Sequence, residues 1–518
     1  MTKDQVPRLG MTSEEFRRRG KELIDYIADY YDNINDAPIL STVKPNYLQS
    51  LLPNEAPEEP EPYDEILKDI EAKILPGTTN WQSGKFFAYF PANSTFPGIL
   101  GEMYSAMFNG IGFSWINGPA MTELETITLD WVGKLIGLDD AFLSFKSDGS
   151  STIGGGVIQG SASEATIVAM LAARQMAIEK FTQENPNATE DDVLVFTSKL
   201  IGYGSNQTHS SAEKASRIIN CRYKGIDTDD TGVLRGCALE AQVKADIDAG
   251  LVPFFTIGTF VTTGIGAVDD FTGISEVAKK YKFWFHIDAA YGGAALVCPE
   301  LRYLAPGMNL ADSFNFNPHK WMLVNFDCST LWFKNSYYVK SSLSIHRDYY
   351  KNSATDSGLV RDYKDWQLPL GRRFRALKLF MVLRTYGAQG IRSHIRNSIE
   401  YARWLETEIA KDSRFVQLHP RSLSLVVLQL NKDYIKSKCD QPVSSDLLEQ
   451  YFKDACELFS KEITKDNTVF LSSISQNGAS AIRVAVGSPN TDQKCMDELL
   501  DVLKRCADIA TSTAIQKQ

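Results

Sequence analysis

Hydrophobic positions change their period along the chain. After Thr12-Ser13-Glu14-Glu15, a capping box, Phe16, Leu23, Ile27, Tyr30, Tyr31 and Ile34 recur on one face at helical spacing. The stretch 51–63, L-L-P-N-E-A-P-E-E-P-E-P-Y, is too rich in Pro and Glu for regular structure, and helical periodicity resumes over 64–74. The first ~90 residues therefore read as helices on an extended connection, with too little core to fold alone. Their apolar faces call for a docking surface such as a second subunit.

Beyond residue 120 long helices alternate with short apolar strands. The pattern predicts helices over 165–181 and 274–281, and strands over 193–196, 252–260 and 283–287. Such alternation implies a mostly parallel α/β sheet. Near the end, 423–430 alternates in strand fashion, and Asn477-Gly478 marks a hairpin whose second strand ends over 481–486. A last helix over 492–509 closes a small α+β domain. No internal repeat or low-complexity tract is visible.

Composition narrows the class. With 43% hydrophobic and 23% charged residues the chain is globular, and bulk disorder is excluded. The 54 Lys and Arg against 64 Asp and Glu leave a charge of −10 without a basic run, which disfavours nucleic acid and anionic membrane as partners. Eight cysteines, none before Cys221 and none in a C-x-x-C pair, support no zinc or redox motif; no metal is expected and a reducing compartment is. The first ten residues lack the apolar region of a signal peptide, and no apolar run approaches the ~20 residues of a membrane span. A soluble, cytoplasmic protein is expected.

Three segments carry candidate chemistry. In G-G-G-V-I-Q-G-S-A-S-E-A, from residue 154, a glycine-rich loop enters a helix at Ser161-x-x-Glu164, where unpaired N–H groups and the hydroxyls of Ser161 and Ser163 suit an anion. Its spacing is neither Walker A nor G-x-G-x-x-G. In F-H-I-D-A-A-Y, Asp288 ends a buried strand, the edge at which α/β sheets bind ligands, and a carboxylate there needs a cationic partner such as a ring nitrogen. In S-F-N-F-N-P-H-K-W, Lys320 stands among apolar and aromatic residues that favour a nucleophilic amine. Singly, each has an ordinary reading: a flexible helix start, a helix-capping Asp, a solvated Lys. Together they supply what pyridoxal phosphate requires.

The chain resembles the aromatic-L-amino-acid decarboxylases, group II pyridoxal-phosphate decarboxylases of fold type I, from about residue 10 to 510. The resemblance rests on G-F-S-W at 112–115, T-E-L-E at 122–125, G-S-A-S-E-A at 160–165 and T-H-S-S at 208–211. It continues in H-I-D-A-A-Y at 286–291, N-F-N-P-H-K-W at 315–321 and D-W-Q-L-P-L-G-R-R-F-R at 365–375. It implies a fold type I α/β fold: an N-terminal helical dimer clasp (1–95), a large cofactor domain (96–377) and a small C-terminal α+β domain (378–518).

For the site, the resemblance implies that Lys320 forms the Schiff base with pyridoxal phosphate, Asp288 pairs with the pyridinium nitrogen and His209 stacks on the ring. Ser161, Ala162, Ser163, Asn317 and His319 match the phosphate shell, and Thr262 the contact near the ring hydroxyl. In the polar stretch 345–358 Tyr349, with Tyr350 as the alternative, matches the tyrosine that protonates the substrate Cα. Trp81, Tyr89, Phe90, Pro91, Ile111 and Phe113 match an aromatic substrate pocket, partly across a dimer interface. Gly371 stands where histidine and plant tyrosine decarboxylases tend to have Ser, which favours a bicyclic substrate, tryptophan or 5-hydroxytryptophan; dopa, tyrosine and phenylalanine stay possible. Ala92 departs from the Thr of animal relatives and alters a polar contact.

Aldehyde-synthase relatives carry Phe at the loop tyrosine or Asn at the stacking His, so Tyr349 and His209 favour amine production by a homodimer. The alternatives are an oxidative aromatic aldehyde synthase, a catalytically silent binding protein, and an aminotransferase in which Arg483 would take the substrate carboxylate.

Overall fold

A computed structural model describes residues 10–345, 353–356, 360–476 and 478–516. Seven strands form the large sheet: β1 (Gly155–Gln159), β2 (Leu200–Ser205), β3 (Arg222–Ile226), β4 (Val252–Thr259), β5 (Trp284–Asp288), β6 (Ser313–Phe316) and β7 (Ser329–Phe333). Their order is β1-β7-β6-β5-β4-β2-β3. β7 runs antiparallel to both neighbours, while the β6-β5-β4-β2-β3 pairings are parallel. Such a sheet is covered on both faces, and accordingly β1, β2, β5, β6 and β7 are buried along their whole length. The fold is the expected mostly parallel α/β architecture.

The parallel strands deliver their carboxyl ends to one edge. Ser161 follows β1, His209 follows β2, Thr262 follows β4, Asp288 ends β5, and Asn317 to Lys320 follow β6. A second sheet of order β10-β11-β9-β8 is antiparallel: β8 (Phe415–Gln417), β9 (Leu425–Leu430), β10 (Ser472–Gln476) and β11 (Ala479–Ala485). The Gln493–Gln516 helix packs against the Ser445–Asp466 helix beside it. The Ala376–Ala410 helix, interrupted at Gly387 (φ 60°, ψ 177°), joins the two regions: Ile399 belongs to the core of the large sheet and Ala402 to that of the small one.

One expected element changes type. Residues 193–196, read as a strand, lie inside the Glu190–Thr197 helix, which Thr189 and Asp192 start with a reciprocal capping box. A four-residue apolar run fits a buried strand and a helix face equally, and the cap decides. The strand of that region is β2, whose L-I-G-Y-G-S carries two glycines that mask its β signal.

In the Ser13–Asp32 helix, Thr12 Oγ1 accepts the Glu15 N–H as expected, but Glu15 turns to Arg18 and Arg19. Phe16 is 68% and Leu23 48% exposed, so this helix leaves its apolar face uncovered within the chain. The Phe96–Phe108 helix does the same with Leu100, Met103, Tyr104, Met107 and Phe108.

Candidate active site

The edge where the parallel strands end opens into a cavity of about 630 Å³. Trp81, Tyr89, Phe90, Pro91, His209, His319 and Lys320, all expected site residues, line it. A smaller adjoining space of about 40 Å³ is lined by Ala162, Asp288, His209, Lys320 and Phe90 among others. Residues separated by 239 positions (81 to 320) thus meet in one volume because each sits just past a strand end or on the 81–91 segment that crosses it.

Lys320 is held by the short Pro318–Trp321 helix, whose Lys320 N–H donates to the Asn317 carbonyl at 3.0 Å. Its exposed surface faces the two cavities. Nζ stands 4.6 Å from the centre of the Phe90 ring. Burial lowers its pKa from 10.5 to about 8; Asp288 opposes the shift and Arg483 adds to it. Near neutrality a usable share of the amine is therefore unprotonated. Phe90 stacks on Tyr291 at 4.2 Å and Tyr291 on Trp321 at 4.8 Å, a three-ring column that fixes the lysine's neighbour and the cavity wall together.

Asp288 is 4% exposed and accepts the Ala290 N–H at 2.9 Å. Two cavity histidines share one arrangement. The Cys328 N–H donates to His319 Nδ1 at 2.8 Å, and the Ser211 N–H donates to His209 Nδ1 at 3.1 Å. Burial lowers both pKa values, that of His319 to about 3. The His319 ring is therefore neutral at physiological pH, and His209 is shifted in the same direction.

At the start of the Ala162–Glu184 helix, Ser161 Oγ accepts the Glu164 N–H at 3.2 Å. Glu164 reaches back to the Gly160 N–H at 2.9 Å, one residue beyond the expected capping box. The N–H groups of Ala162 and Ser163, in the first turn, have no intrahelical acceptor and suit an anion. Asn317 is buried and its Oδ1 accepts from Ser329 Oγ at 2.7 Å, which orients its amide. Thr262 is fully buried, with Oγ1 accepting the Ala267 N–H at 2.9 Å, so it holds the turn after β4 while Thr263 lines the cavity.

Ile111, Phe113 and Gly371 lie outside this cavity's lining. They form a separate cluster in which the Arg372 N–H donates to the Ile111 carbonyl and the Lys364 N–H to that of Phe113, both at 2.9 Å. Tyr349 and Tyr350 lie outside the described residues. The lining also contains Thr263, Gly264, Phe326, Ser472, Ser473, Ile474 and Arg483. Of these only Arg483 had a signal in the sequence, as the lone charge within the apolar run A-S-A-I-R-V-A-V.

The donor set fits pyridoxal phosphate. An amine with a lowered pKa, a buried carboxylate and a helix start with unpaired N–H groups converge on one space, and the buried Thr259 Oγ1 beside it has no partner. Among the described residues no group of side chains could hold a metal ion, and no helix is long and apolar enough to cross a membrane.

Comparison with known proteins agrees. Residues 45–431 match the pyridoxal-dependent decarboxylase conserved domain. The chain is 43% identical to the phenylacetaldehyde synthase of Arabidopsis thaliana over 95% of this chain and 96% of that one. It is 46% identical to the aromatic-L-amino-acid decarboxylase of Cavia porcellus over 81% and 86%. The crystal structure of Oryza sativa TDC with PLP and tryptamine superposes with a TM-score of 0.89 at 32% identity, covering 97% of this chain and all of that one. With the amine, the carboxylate and the anion-binding helix start in place, the chain belongs to the pyridoxal-dependent decarboxylase family, carboxy-lyases that use pyridoxal phosphate.

Proposed function

We propose that the protein converts aromatic L-amino acids to the corresponding arylalkylamines and carbon dioxide, with tryptophan or 5-hydroxytryptophan favoured. The observation that carries this reading is the wall of Trp81, Tyr89 and Phe90 in the same cavity as Lys320. Trp81 and Tyr89 stack at 5.6 Å, and flat apolar faces of this kind suit an aromatic side chain.

Pyridoxal phosphate, when bound, supplies an aldehyde that captures the substrate amine and a ring that accepts the electron pair released with carbon dioxide. Lys320 would present its amine to the aldehyde of the bound cofactor. Asp288 would hold a proton on the ring nitrogen, and His209 would cover a face of the ring. Ser161, Ala162, Ser163, Asn317 and His319 would hold the phosphate, while Thr262, which sets the turn after β4, would stand near the ring hydroxyl. Phe90, Tyr291 and Trp321 exclude water from the lysine side. Tyr349 delivers the proton to the substrate Cα, with Tyr350 as the alternative.

The uncovered faces of the Ser13–Asp32 and Phe96–Phe108 helices support a homodimer, since apolar patches of this extent mark interfaces. Ile111, Phe113 and Gly371 then complete a substrate pocket across that interface. The chain divides into a helical clasp (1–95), a cofactor domain (96–377) and a small domain (378–518), and works in the cytoplasm.

A second reading is supported by the relative named phenylacetaldehyde synthase: oxidation of the same substrates to aldehydes. Retention of His209 and Tyr349 favours the amine. The test is a panel of tryptophan, 5-hydroxytryptophan, dopa, tyrosine and phenylalanine assayed for amine, carbon dioxide and peroxide together. Amine with little peroxide is expected, and stoichiometric peroxide from the wild-type enzyme would overturn the reading. Tyr349→Phe should move product toward aldehyde.

A further inference from the structure

His209 is delivered to the cavity by a turn that β2 builds. Ser205, its last residue, receives the Thr208 N–H at its carbonyl (3.1 Å) and donates its own N–H to Thr208 Oγ1 (2.8 Å). Two residues after His209, Ser211 opens the Ser211–Ile218 helix and is 4% exposed. Two groups of Ser211 converge on one ring nitrogen: its backbone N–H at 3.1 Å and its Oγ at 2.9 Å from His209 Nδ1.

A backbone N–H can only donate. Nδ1 must therefore present its lone pair to Ser211, and the proton of the neutral ring resides on the other nitrogen. The hydroxyl leaves the assignment unchanged, because a serine Oγ–H can donate to the same lone pair. We propose that Ser211 is a positioning residue that fixes His209 as the Nε2–H tautomer, so that the nitrogen available to the cavity is a hydrogen-bond donor and never a base. The proposal rests on the functional reading above for its consequence, not for its geometry.

That consequence is a restriction on what His209 can do beside Lys320 and Asp288, the two charged groups that act on it. With its lone pair committed to Ser211, the ring has no acceptor on the cavity side and cannot take a proton from the substrate or from the lysine. It can only hold an oxygen acceptor, such as a substrate carboxylate or a phenolate. His319 repeats the arrangement with the Cys328 N–H, so both cavity histidines face their ligands as neutral donors. Two neutral donors in this cavity would orient anionic groups without adding positive charge beside the lysine.

The test is magic-angle-spinning 15N NMR of holoenzyme labelled at its six histidines, with His209 assigned by the loss of its signals in His209→Asn. At pH 7–8 the expected spectrum has His209 Nδ1 in the unprotonated range and Nε2 in the N–H range. Ser211→Ala keeps the backbone donor and should leave the tautomer unchanged. Ser211→Pro removes it at the first helical position, where the lost N–H breaks no intrahelical hydrogen bond, and should give a mixture of tautomers and lower kcat about tenfold with little change in KM. A protonated Nδ1 in the wild-type spectrum, or an unaltered tautomer in Ser211→Pro, would overturn the proposal. Ser210, at φ −56° and ψ −13°, is strained by a following proline; if that variant does not fold, the wild-type spectrum decides alone. An enzyme that forms no arylalkylamine would sink the functional reading and leave the tautomer result standing.

Discussion

The guanidinium of Arg483 on β11 donates to the carbonyl of Tyr89, a residue held at φ 49°. The Tyr89 N–H donates to Ser472 Oγ on β10 at 2.5 Å, so a left-handed tyrosine is tied at both ends to the small sheet. That conformation costs a non-glycine residue about 1–2 kcal/mol and persists where its surroundings impose it. Arg483 also donates to the Thr263 carbonyl and stands 4.7 Å from the Phe90 ring. Its contacts are thus two backbone carbonyls and an aromatic face, which makes it the brace of the 89–91 wall.

Arg483→Met should release that wall. Losing hydrogen bonds from a charged donor costs about 1.5–3 kcal/mol each in place, and part of this appears as disorder of Tyr89 and Phe90. The expected outcome is a KM for aromatic substrate raised about tenfold with kcat changed less, read by steady-state kinetics. An unchanged KM would show that the wall stands without the arginine.

Such braces explain what the sequence could and could not disclose. Asp288, Lys320, Tyr291 and Trp321 belong to two contiguous motifs whose residues lie at strand ends, and their roles follow from local order. Tyr291 stacking on Trp321 is simply those two motifs meeting across β5 and β6. Ser472 and Ile474 carry no local signal, because they reach the cavity only through the pairing of β10 with β11. The strand assigned to 193–196 failed for the opposite reason: local apolarity was legible, but a capping box outside the run fixed its conformation.

Lys320 sets a pH dependence with a definite sign. Its pKa of about 8 means the amine is mostly protonated at pH 7 and mostly free above pH 9. Condensation of apoprotein with pyridoxal phosphate, followed by absorbance, should quicken with pH through about 8 and level off above about 9. The unfolded lysine titrates near 10.4 and binds more protons between these values. The resulting destabilisation is full below pH 8 and is lifted as pH rises toward 10.5. Lys320→Met should therefore abolish activity yet stabilise the apoprotein at pH 7 by about 1–2 kcal/mol, discounted for the lysine's partial exposure. Denaturant midpoints of the two apoproteins check this, and a less stable variant would contradict it.

Asp288 is placed to act on charge rather than on shape. Asp288→Asn keeps the size and an acceptor oxygen for the Ala290 N–H but removes the negative charge. By comparison with the loss of other preorganised electrostatic contacts, kcat should fall about 100-fold or more. Bound cofactor, measured by its absorbance, should persist. A variant that loses cofactor in proportion to activity would assign Asp288 to binding instead.

Glu125 and Arg372 form a buried ion pair, 3% and 2% exposed at their side chains. Glu125 also accepts the Ile158 N–H of β1 at 2.8 Å, and Arg372 donates to Gln367 at 2.7 Å while lying 4.6 Å from the Tyr363 ring. The pair ties β1 to the segment that carries Gly371. Glu125→Gln leaves the guanidinium buried without its charge partner, which typically costs about 3–5 kcal/mol. Urea unfolding should register this, whereas Glu123→Gln, at an exposed position on the Pro119–Ile136 helix that also carries Glu125, should stay within about 0.5 kcal/mol.

Gly371 offers a test of substrate choice. A Cβ at this position would lie 3.1 Å from Ile111 Cγ2, closer than ordinary contact, so a side chain here must displace Ile111. Ile111 is 60% exposed within the chain, on the face proposed to complete the pocket across the dimer. Serine would therefore narrow the space for a second ring and add a hydroxyl that favours a polar neighbour. In Gly371→Ser, kcat/KM for tryptophan should fall about tenfold while that for tyrosine changes little, the scale expected of one pocket contact. Paired assays on the two substrates check it. Equal losses for both would mean that the residue acts through packing of the 365–375 segment and not through the shape of the pocket.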